Sequence, residues 1–144
     1  MNDAVSAMLA RYECRSAEDY ENALKEIIQE VALLGLWRSK FFEKAAFYGG
    51  TALRIFYGLD RFSEDLDFSL LRRFPHFDIS EYCSALSAEL KSFGFSAEVR
   101  RKEKKTDSQI QSAFIKAGTM QSLVMVETPR MLIKKIPGNR IIKI

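Results

Sequence analysis

The sequence has little of what marks several large classes of protein. Its two cysteines, Cys14 and Cys83, are isolated from each other and from the single histidine, His76, so no motif with the spacing of a zinc site is present. Two free thiols in a cytoplasmic protein are the simplest interpretation, although one disulfide between them stays open. No apolar run approaches the ~20 residues of a membrane-spanning helix. The first five residues lack the basic region and apolar stretch of a signal peptide, so we expect a cytoplasmic protein with no membrane segment.

The composition is that of a folded protein with one domain. The chain has 144 residues, which is enough to bury one core but too few for two. Hydrophobic residues make up 47% of it and aromatic residues 12%, which excludes a disordered tail. The 22 basic and 19 acidic residues give a net charge of +3, which is compatible with an anionic ligand but does not require one.

Hydrophobic periodicity predicts an α/β fold in which helices flank a small mixed sheet. Ser16 and Asp19 form a variant of the capping box, and apolar residues then recur on one helical face as far as Gly35, where we expect the helix to end. A second helix is predicted from Thr51 to about Tyr57. The remaining predicted elements are a strand over 65–70, a helix from Ser80 to Gly94, strands over 95–102 and 110–116 joined by a polar turn over 104–108, an apolar segment over 119–126 that is ambiguous between helix and strand, and a strand over 141–144.

Two adjacent glycines and two alternate aspartates form the pattern that indicates chemistry. Gly49 and Gly50 precede the second helix, so the backbone there can approach a ligand closely, and the N–H groups of the helix start suit a phosphate. Asp65 and Asp67 are predicted to share one face of a strand, with their Cα atoms ~6.6 Å apart. Carboxylates at that spacing can converge on Mg²⁺ or Mn²⁺.

Each of these features alone has an ordinary structural explanation. A glycine pair is most often a turn, and two alternate aspartates are more often a solvated strand face than a metal site. The glycines are not followed by the Gly-Lys-Ser/Thr of a P-loop. No glycine or glutamate follows the aspartates at the offsets of an EF-hand loop. The order and spacing of the two features together are more specific than either feature alone.

The segment 47–70 resembles the signature of the AbiEii/AbiGii-type nucleotidyltransferase toxins, a branch of the DNA polymerase β-like nucleotidyltransferase superfamily. The matching residues are Gly49, Gly50, Thr51, Ala52, Leu53, Tyr57, Arg61, Ser63, Asp65, Leu66, Asp67 and Phe68. The resemblance implies a nucleotidyltransferase fold and an enzyme that moves a nucleotidyl group from a nucleoside triphosphate to an acceptor, with RNA as one candidate. It also implies a bacterial toxin of the abortive-infection type whose partner is a cognate antitoxin.

The motif and the resemblance together predict seven site residues. Asp65 and Asp67 are the expected catalytic residues and metal ligands, with Mg²⁺ or Mn²⁺ as the expected cofactor. The expected nucleotide-binding residues are Gly49, Gly50, Thr51, Arg61 and Ser63. The mechanism that follows from this assignment is attack of an acceptor on the α-phosphorus with departure of pyrophosphate.

Arg61 and Ser63 also have ordinary alternatives. The Arg61 guanidinium matches a phosphate or a carboxylate bidentately, but a salt bridge to Asp60 or Glu64 is its simpler role. Ser63 is better explained as a loop residue whose hydrogen bond positions Asp65 than as a nucleophile, because no base is identifiable beside it.

The position of a third carboxylate stays open. The superfamily uses one on a later strand, and the resemblance implies that 1–144 is a single domain without the helical C-terminal half of the family, with the third acid beyond the run 141–144. Glu98 and Glu127 are the substitutes within the chain. The alternatives are a catalytically incomplete module that acts through a protein or nucleic-acid partner, and phosphotransfer by the same fold. The basic run 100–105 would suit a nucleic-acid acceptor, although a solvated hairpin is its simpler interpretation.

Overall fold

The computed structural model of the protein describes residues 2–103, 110–118 and 120–127. The elements, in chain order, are α1 (Asp3–Leu9), α2 (Ala17–Arg38), a 3₁₀ turn (Phe41–Glu43), β1 (Ala45–Tyr48), α3 (Gly49–Tyr57), β2 (Asp65–Leu70), α4 (Ser80–Ser92), β3 (Ala97–Arg101), β4 (Gln111–Ala117) and β5 (Met120–Glu127). The predicted turn over 104–108 and the predicted strand over 141–144 lie outside the described residues. Within those residues, every helix is too short or too polar to cross a membrane.

Helix α2 begins where the sequence predicts but ends later. At its start the Ser16 hydroxyl accepts a hydrogen bond from the Asp19 N–H (3.1 Å), and the Asp19 carboxylate accepts one from the Ser16 N–H (2.9 Å), which confirms the capping box. The Arg15 N–H also donates to this carboxylate, and these bonds, that of Arg15 first, hold the pKa of Asp19 below its usual range. The predicted end at Gly35 is wrong, because α2 continues to Arg38.

Gly35 is required by the packing of two helices rather than by a helix end. A Cβ atom built on it would lie 3.1 Å from the Glu89 Cβ and 3.4 Å from the Ala85 carbonyl oxygen, both of which belong to α4. Helices α2 and α4 therefore approach closely at this residue, and a larger residue would push them apart. A glycine that admits a neighbouring helix looks the same in sequence as a glycine that caps one, since neither changes the apolar periodicity.

The five strands form one mixed sheet in the order β1-β2-β5-β4-β3. Strands β2 and β5 are parallel, and the other neighbouring pairs are antiparallel. The segment that is ambiguous in the sequence is strand β5, and its alternate residues Val124 and Val126 are buried in the core. The predicted α/β fold, a small mixed sheet flanked by helices, is confirmed.

The two faces of β2 differ in polarity. Leu66 and Phe68 are completely buried on the face that packs against the helices. Asp65, Asp67 and Ser69 alternate with them and are half-buried on the opposite face. A slip of one residue in the pairing of β2 would place the carboxylates in the core, so the burial pattern specifies which face they occupy.

Phe41 lies at the centre of the buried face. It is completely buried, and its ring centroid is 4.9 Å from that of Phe68 on β2 and 5.0 Å from that of Tyr82 on α4, both in edge-to-face geometry. Phe41 thus joins the strand that bears the aspartates to a helix that covers the sheet.

Removing the Phe41 ring should weaken the whole fold. We expect Phe41→Ala to lower the free energy of unfolding by about 3–5 kcal/mol, because it leaves a cavity between β2 and α4. Phe56 is the matched control, since its side chain is 67% exposed. Phe56→Ala should cost about 1 kcal/mol or less, the worth of its aromatic contact with Phe47. Urea unfolding of both variants measures the difference, and similar losses would contradict the central role of Phe41.

Candidate active site

Strand β1 ends beside Asp67, on the strand β2. Its last residue, Tyr48, pairs with Asp67 in the antiparallel register. Helix α3 starts at the next residue, Gly49. The Tyr48 side chain, at the N-cap position, makes no capping hydrogen bond to the first turn. The start of the helix therefore lies beside the carboxylate of Asp67. A helix start carries N–H groups and a partial positive charge, so this junction suits an anion.

Gly49 is the residue that permits this approach. Its φ of +86° lies in the left-handed region that favours glycine. A Cβ atom at this position would lie 2.8 Å from the Asp67 Oδ2 atom, which is closer than real Cβ contacts allow. Two independent constraints, the backbone conformation and the contact with Asp67, thus require glycine here.

The next two residues of α3 contact the segment that leads into β2. A Cβ atom on Gly50 would lie 3.2 Å from the Ser63 Oγ atom, so Gly50 and Ser63 face each other closely. Thr51 is 1% exposed, and its hydroxyl donates a hydrogen bond to the Asp65 carbonyl oxygen. The Thr51 side chain is therefore committed to β2, and only its backbone is left for a ligand.

Arg61 lies exposed on the loop before β2. The simpler role considered for it, a salt bridge to Asp60 or Glu64, does not occur: within the described ranges no carboxylate lies at ion-pair distance from it. Glu64 is instead 4.0 Å from the Lys25 Nζ atom of α2. The Arg61 guanidinium is thus available to an anionic ligand.

Asp65 is held in a position that disfavours its charge. Partial burial raises the pKa of its carboxyl group above the usual range, and the nearby negative charge of Glu64 adds to the effect. No lysine or arginine among the described residues forms an ion pair with Asp65. A bound cation would oppose this shift, because it stabilises the ionised form of the carboxyl group.

Asp65 and Asp67 are the two carboxylates on the polar face of β2. No group of three or more His, Cys, Asp or Glu side chains within it could hold a metal ion. Glu98 is excluded as a third ligand because β3 is three strands away from β2, which corresponds to ~14 Å. Glu98 also forms an ion pair with Arg100, which supports the interpretation of a solvated strand. Glu127 lies on β5, the neighbour of β2, with its Cα opposite that of Ser69.

Side chains that no motif marks also contact the loop before β2. The Gln29 Nε2 atom of α2 donates a 2.8 Å hydrogen bond to the Ser63 carbonyl oxygen. Arg54 of α3 donates to the Leu59 carbonyl oxygen at 3.0 Å and to the buried carboxylate of Glu26. Nothing in the sequence marks these residues, because Gln29 and Glu26 lie within a helix whose apolar spacing explains the helix without them.

A profile of the nucleotidyl transferase AbiEii toxins of type IV toxin-antitoxin systems matches residues 31–135, a range that includes all seven predicted site residues. A comparison with curated proteins finds no significant match.

Two solved structures resemble the chain. One is MenT4, a nucleotidyltransferase toxin from Mycobacterium tuberculosis H37Rv, at 24% identity and a TM-score of 0.49, covering 86% of this chain and 43% of that one. The other is a protein from H. pylori assigned as a nucleotidyltransferase, at 21% identity and a TM-score of 0.45, covering 79% and 46%. The chain thus spans less than half the length of either structure.

The contact between Gly49 and Asp67 can be separated from backbone strain by a matched pair of variants. Gly58, at the end of α3, also has a positive φ (+70°), but a Cβ there would meet nothing within 4 Å. Both Gly49→Ala and Gly58→Ala should lose about 1–3 kcal/mol of stability through strain. Only Gly49→Ala should also weaken Mn²⁺ binding, by about tenfold, because it displaces Asp67. Calorimetric titration with Mn²⁺ gives both affinities, and equal values would show that the contact is unimportant.

The raised pKa of Asp65 predicts a stability gain when its charge is removed. The folded state binds this proton more tightly than the unfolded state does, so the ionised carboxylate costs stability above its raised pKa. In metal-free buffer at neutral pH, Asp65→Asn should therefore unfold at a higher temperature than the wild type. The difference should shrink as the pH falls through the raised pKa and disappear below the usual carboxyl range. Glu64→Gln, which removes the second cause, should shift the unfolding temperature in the same direction by less. A difference that grows on acidification would contradict the assignment.

Proposed function

The chain belongs to the AbiEii family of nucleotidyl transferase toxins, and we propose that it moves a nucleotidyl group from a nucleoside triphosphate to an acceptor. The observation that supports this most is the contact of the Asp67 carboxylate with Gly49 at the start of α3. It brings a carboxylate pair and a helix start to the same place. A cognate antitoxin is the proposed protein partner, since the family is that of type IV toxin-antitoxin systems. RNA is the proposed acceptor.

Asp65 and Asp67 are the proposed catalytic residues and would hold Mg²⁺ or Mn²⁺. Their fit to a hard divalent cation follows from carboxylate oxygens on one strand face and from the raised pKa of Asp65, for which the described residues provide no cation partner. When bound, the metal would neutralise charge on the phosphate oxygens and lower the pKa of the attacking hydroxyl.

The triphosphate is proposed to lie against the first turn of α3. Gly49 and Gly50 present backbone without a side chain. Thr51 would contribute its N–H and not its hydroxyl, since the hydroxyl donates to the Asp65 carbonyl oxygen. Ser63 faces Gly50 from the other side, and the exposed guanidinium of Arg61 adds positive charge. In the reaction, an acceptor oxygen forms a bond to the α-phosphorus and loses its proton. The bond from the α-phosphorus to the bridging oxygen breaks, and pyrophosphate leaves with that electron pair.

For the third carboxylate, the strand order favours Glu127 over Glu98. The Cα of Met125 on β5 is opposite that of Asp67, and Glu127 lies two residues further along the same strand. Ideal strand spacing then places the Glu127 Cα ~8 Å from that of Asp67. The Glu127 backbone is therefore next to the strand that bears Asp67, whereas Glu98 is separated from that strand by two intervening strands.

The function is tested by metal binding and by the fate of labelled nucleotide. Purified protein is incubated with Mg²⁺, total RNA and a nucleoside triphosphate labelled at either the α- or the γ-phosphate. We expect label from the α-position alone to enter the acceptor, because pyrophosphate is the leaving group. Transfer of the γ-label would show phosphotransfer instead. Labelling of neither kind, with Mn²⁺ binding retained, would favour a binding module.

Three variants assign the carboxylates in the same assay. Asp67→Asn should abolish transfer and weaken Mn²⁺ binding by at least about tenfold. Glu127→Gln should lower transfer, whereas Glu98→Gln serves as its matched control on the far edge of the sheet and should leave transfer unchanged. Wild-type behaviour of Asp67→Asn in both measurements would overturn the proposed function. Equal effects of Glu127→Gln and Glu98→Gln would remove Glu127 from the site.

A further inference from the structure

We infer that Gln29, with the pair Glu26 and Arg54, forms a set of positioning residues that fixes the loop 59–64 and thereby sets the carboxylates of β2 against the start of α3. These residues act through the backbone of the loop, which ends one residue before Asp65. The part of this inference that concerns metal binding rests on the proposed function.

Gln29 has a buried side-chain amide that makes one hydrogen bond, to the loop before β2. It is completely buried on α2, and its Nε2 atom donates a 2.8 Å hydrogen bond to the Ser63 carbonyl oxygen, 34 residues along the chain. Its Oε1 atom is also buried and has no hydrogen-bond partner among the described residues. An amide with an unsatisfied buried oxygen is unfavourable for helix packing alone. The bond to Ser63 is the described contact that offsets this cost.

Glu26, one turn before Gln29 on α2, is a buried carboxylate that holds Arg54. It is 7% exposed, and both Nε and Nη2 of Arg54 donate to it, the latter at 3.4 Å. The Tyr12 hydroxyl donates a 2.6 Å hydrogen bond to the same carboxylate. A buried carboxylate with these donors fixes the guanidinium rigidly, because leaving either charge unpaired in the interior is costly.

The guanidinium of Arg54 in turn holds the loop at two points. Its Nη1 atom donates a 3.0 Å hydrogen bond to the Leu59 carbonyl oxygen, and its Cζ atom lies 3.9 Å from the ring centroid of Phe62. The Phe62 ring also stacks with that of Tyr12 at 6.4 Å. The ring is thus held between a cation and an aromatic side chain.

The loop is therefore anchored at residues 59, 62 and 63 before it enters β2. Thr51 adds an anchor at the Asp65 carbonyl oxygen, immediately beyond the loop. Sheet pairing fixes β2 from Asp65 onward, whereas these side chains hold the preceding loop with Ser63 opposite Gly50, beside the longer contact of Lys25 with Glu64 at 4.0 Å. Metal and phosphate sites tolerate little displacement of their ligands, so loss of an anchor should affect ligand binding more than an equal loss of stability elsewhere would.

Gln111 provides a matched control for Gln29. It is a partly buried glutamine whose amide contacts backbone at two points: its Nε2 donates to the Phe77 carbonyl oxygen, and its Oε1 accepts from the Ile79 N–H at 2.9 Å. The segment that it holds precedes α4 and does not lead to the carboxylates. Replacing either glutamine by methionine removes the hydrogen bonds at similar side-chain volume.

The test compares Gln29→Met and Gln111→Met by amide hydrogen exchange and by Mn²⁺ titration. Both variants should unfold at a lower temperature than the wild type. Only Gln29→Met should increase exchange at the amides of residues 60–66, by about tenfold or more, and only it should weaken Mn²⁺ binding, on the order of tenfold. If Gln29→Met does not fold, Arg54→Lys replaces it, since lysine keeps the charge beside Glu26 but loses the forked contact with the loop.

The two readouts separate failure of the inference from failure of the proposed function. Unchanged exchange over residues 60–66, or equal changes in the two glutamine variants, would overturn the positioning role. A wild type that binds no Mn²⁺ would overturn the proposed function. The amide exchange of Gln29→Met and Gln111→Met would still decide whether Gln29 fixes the loop. Increased exchange with unchanged Mn²⁺ affinity would show that the loop does not position the carboxylates, which also overturns the inference.

Discussion

The close approach of the Asp67 carboxylate to Gly49 is the constraint on which the candidate site depends. Because Gly49 has no side chain and adopts a positive φ, the chain can turn from β1 into α3 directly over the polar face of β2. The positive end of a helix and a strand-borne carboxylate are thereby brought into contact. Any larger residue at Gly49 would separate them. The glycine pair and the aspartate pair are therefore two halves of one structural feature, although Asp65 and Asp67 follow Gly49 by 16 and 18 residues.

Stability and ligand binding make opposite demands on this part of the fold. The carboxyl group of Asp65 has a raised pKa because it is partly buried near Glu64, so its charge is unfavourable in the metal-free protein. The opposite face of the same strand compensates, since Leu66 and Phe68 are completely buried and Phe68 packs edge-to-face on Phe41. A strand with one strongly apolar face can hold unfavourable charge on the other without losing its register. The core beneath β2 thus offsets the cost of unfavourable charge on the polar face of the strand.

Much of this arrangement could be predicted from the sequence, because it depends on local patterns. Strict alternation over β2 places Asp65 and Asp67 on one face, and a capping pair marks the start of α2. What the sequence could not show depends on contacts between distant segments. Gly35 has the sequence signature of a helix end but accommodates α4. The bond from Gln29 to Ser63 joins residues 34 positions apart, and a buried glutamine in a helix leaves no periodic signal.

The same distinction applies to the proposed third carboxylate, for which strand order is a better guide than spacing along the chain. Glu98 precedes Glu127 in sequence and is nearer to the aspartates along the chain, yet it lies on the far edge of the sheet. Strand β5 comes last among the described strands but pairs in parallel with β2, so its residues are the direct neighbours of Asp65 and Asp67 across the sheet. A parallel pairing cannot be made by a tight turn and requires the chain to return from elsewhere, here by way of α4, β3 and β4. The proposed third carboxylate is therefore expected from a segment that pairs with β2, and of Glu98 and Glu127 only Glu127 lies on such a strand.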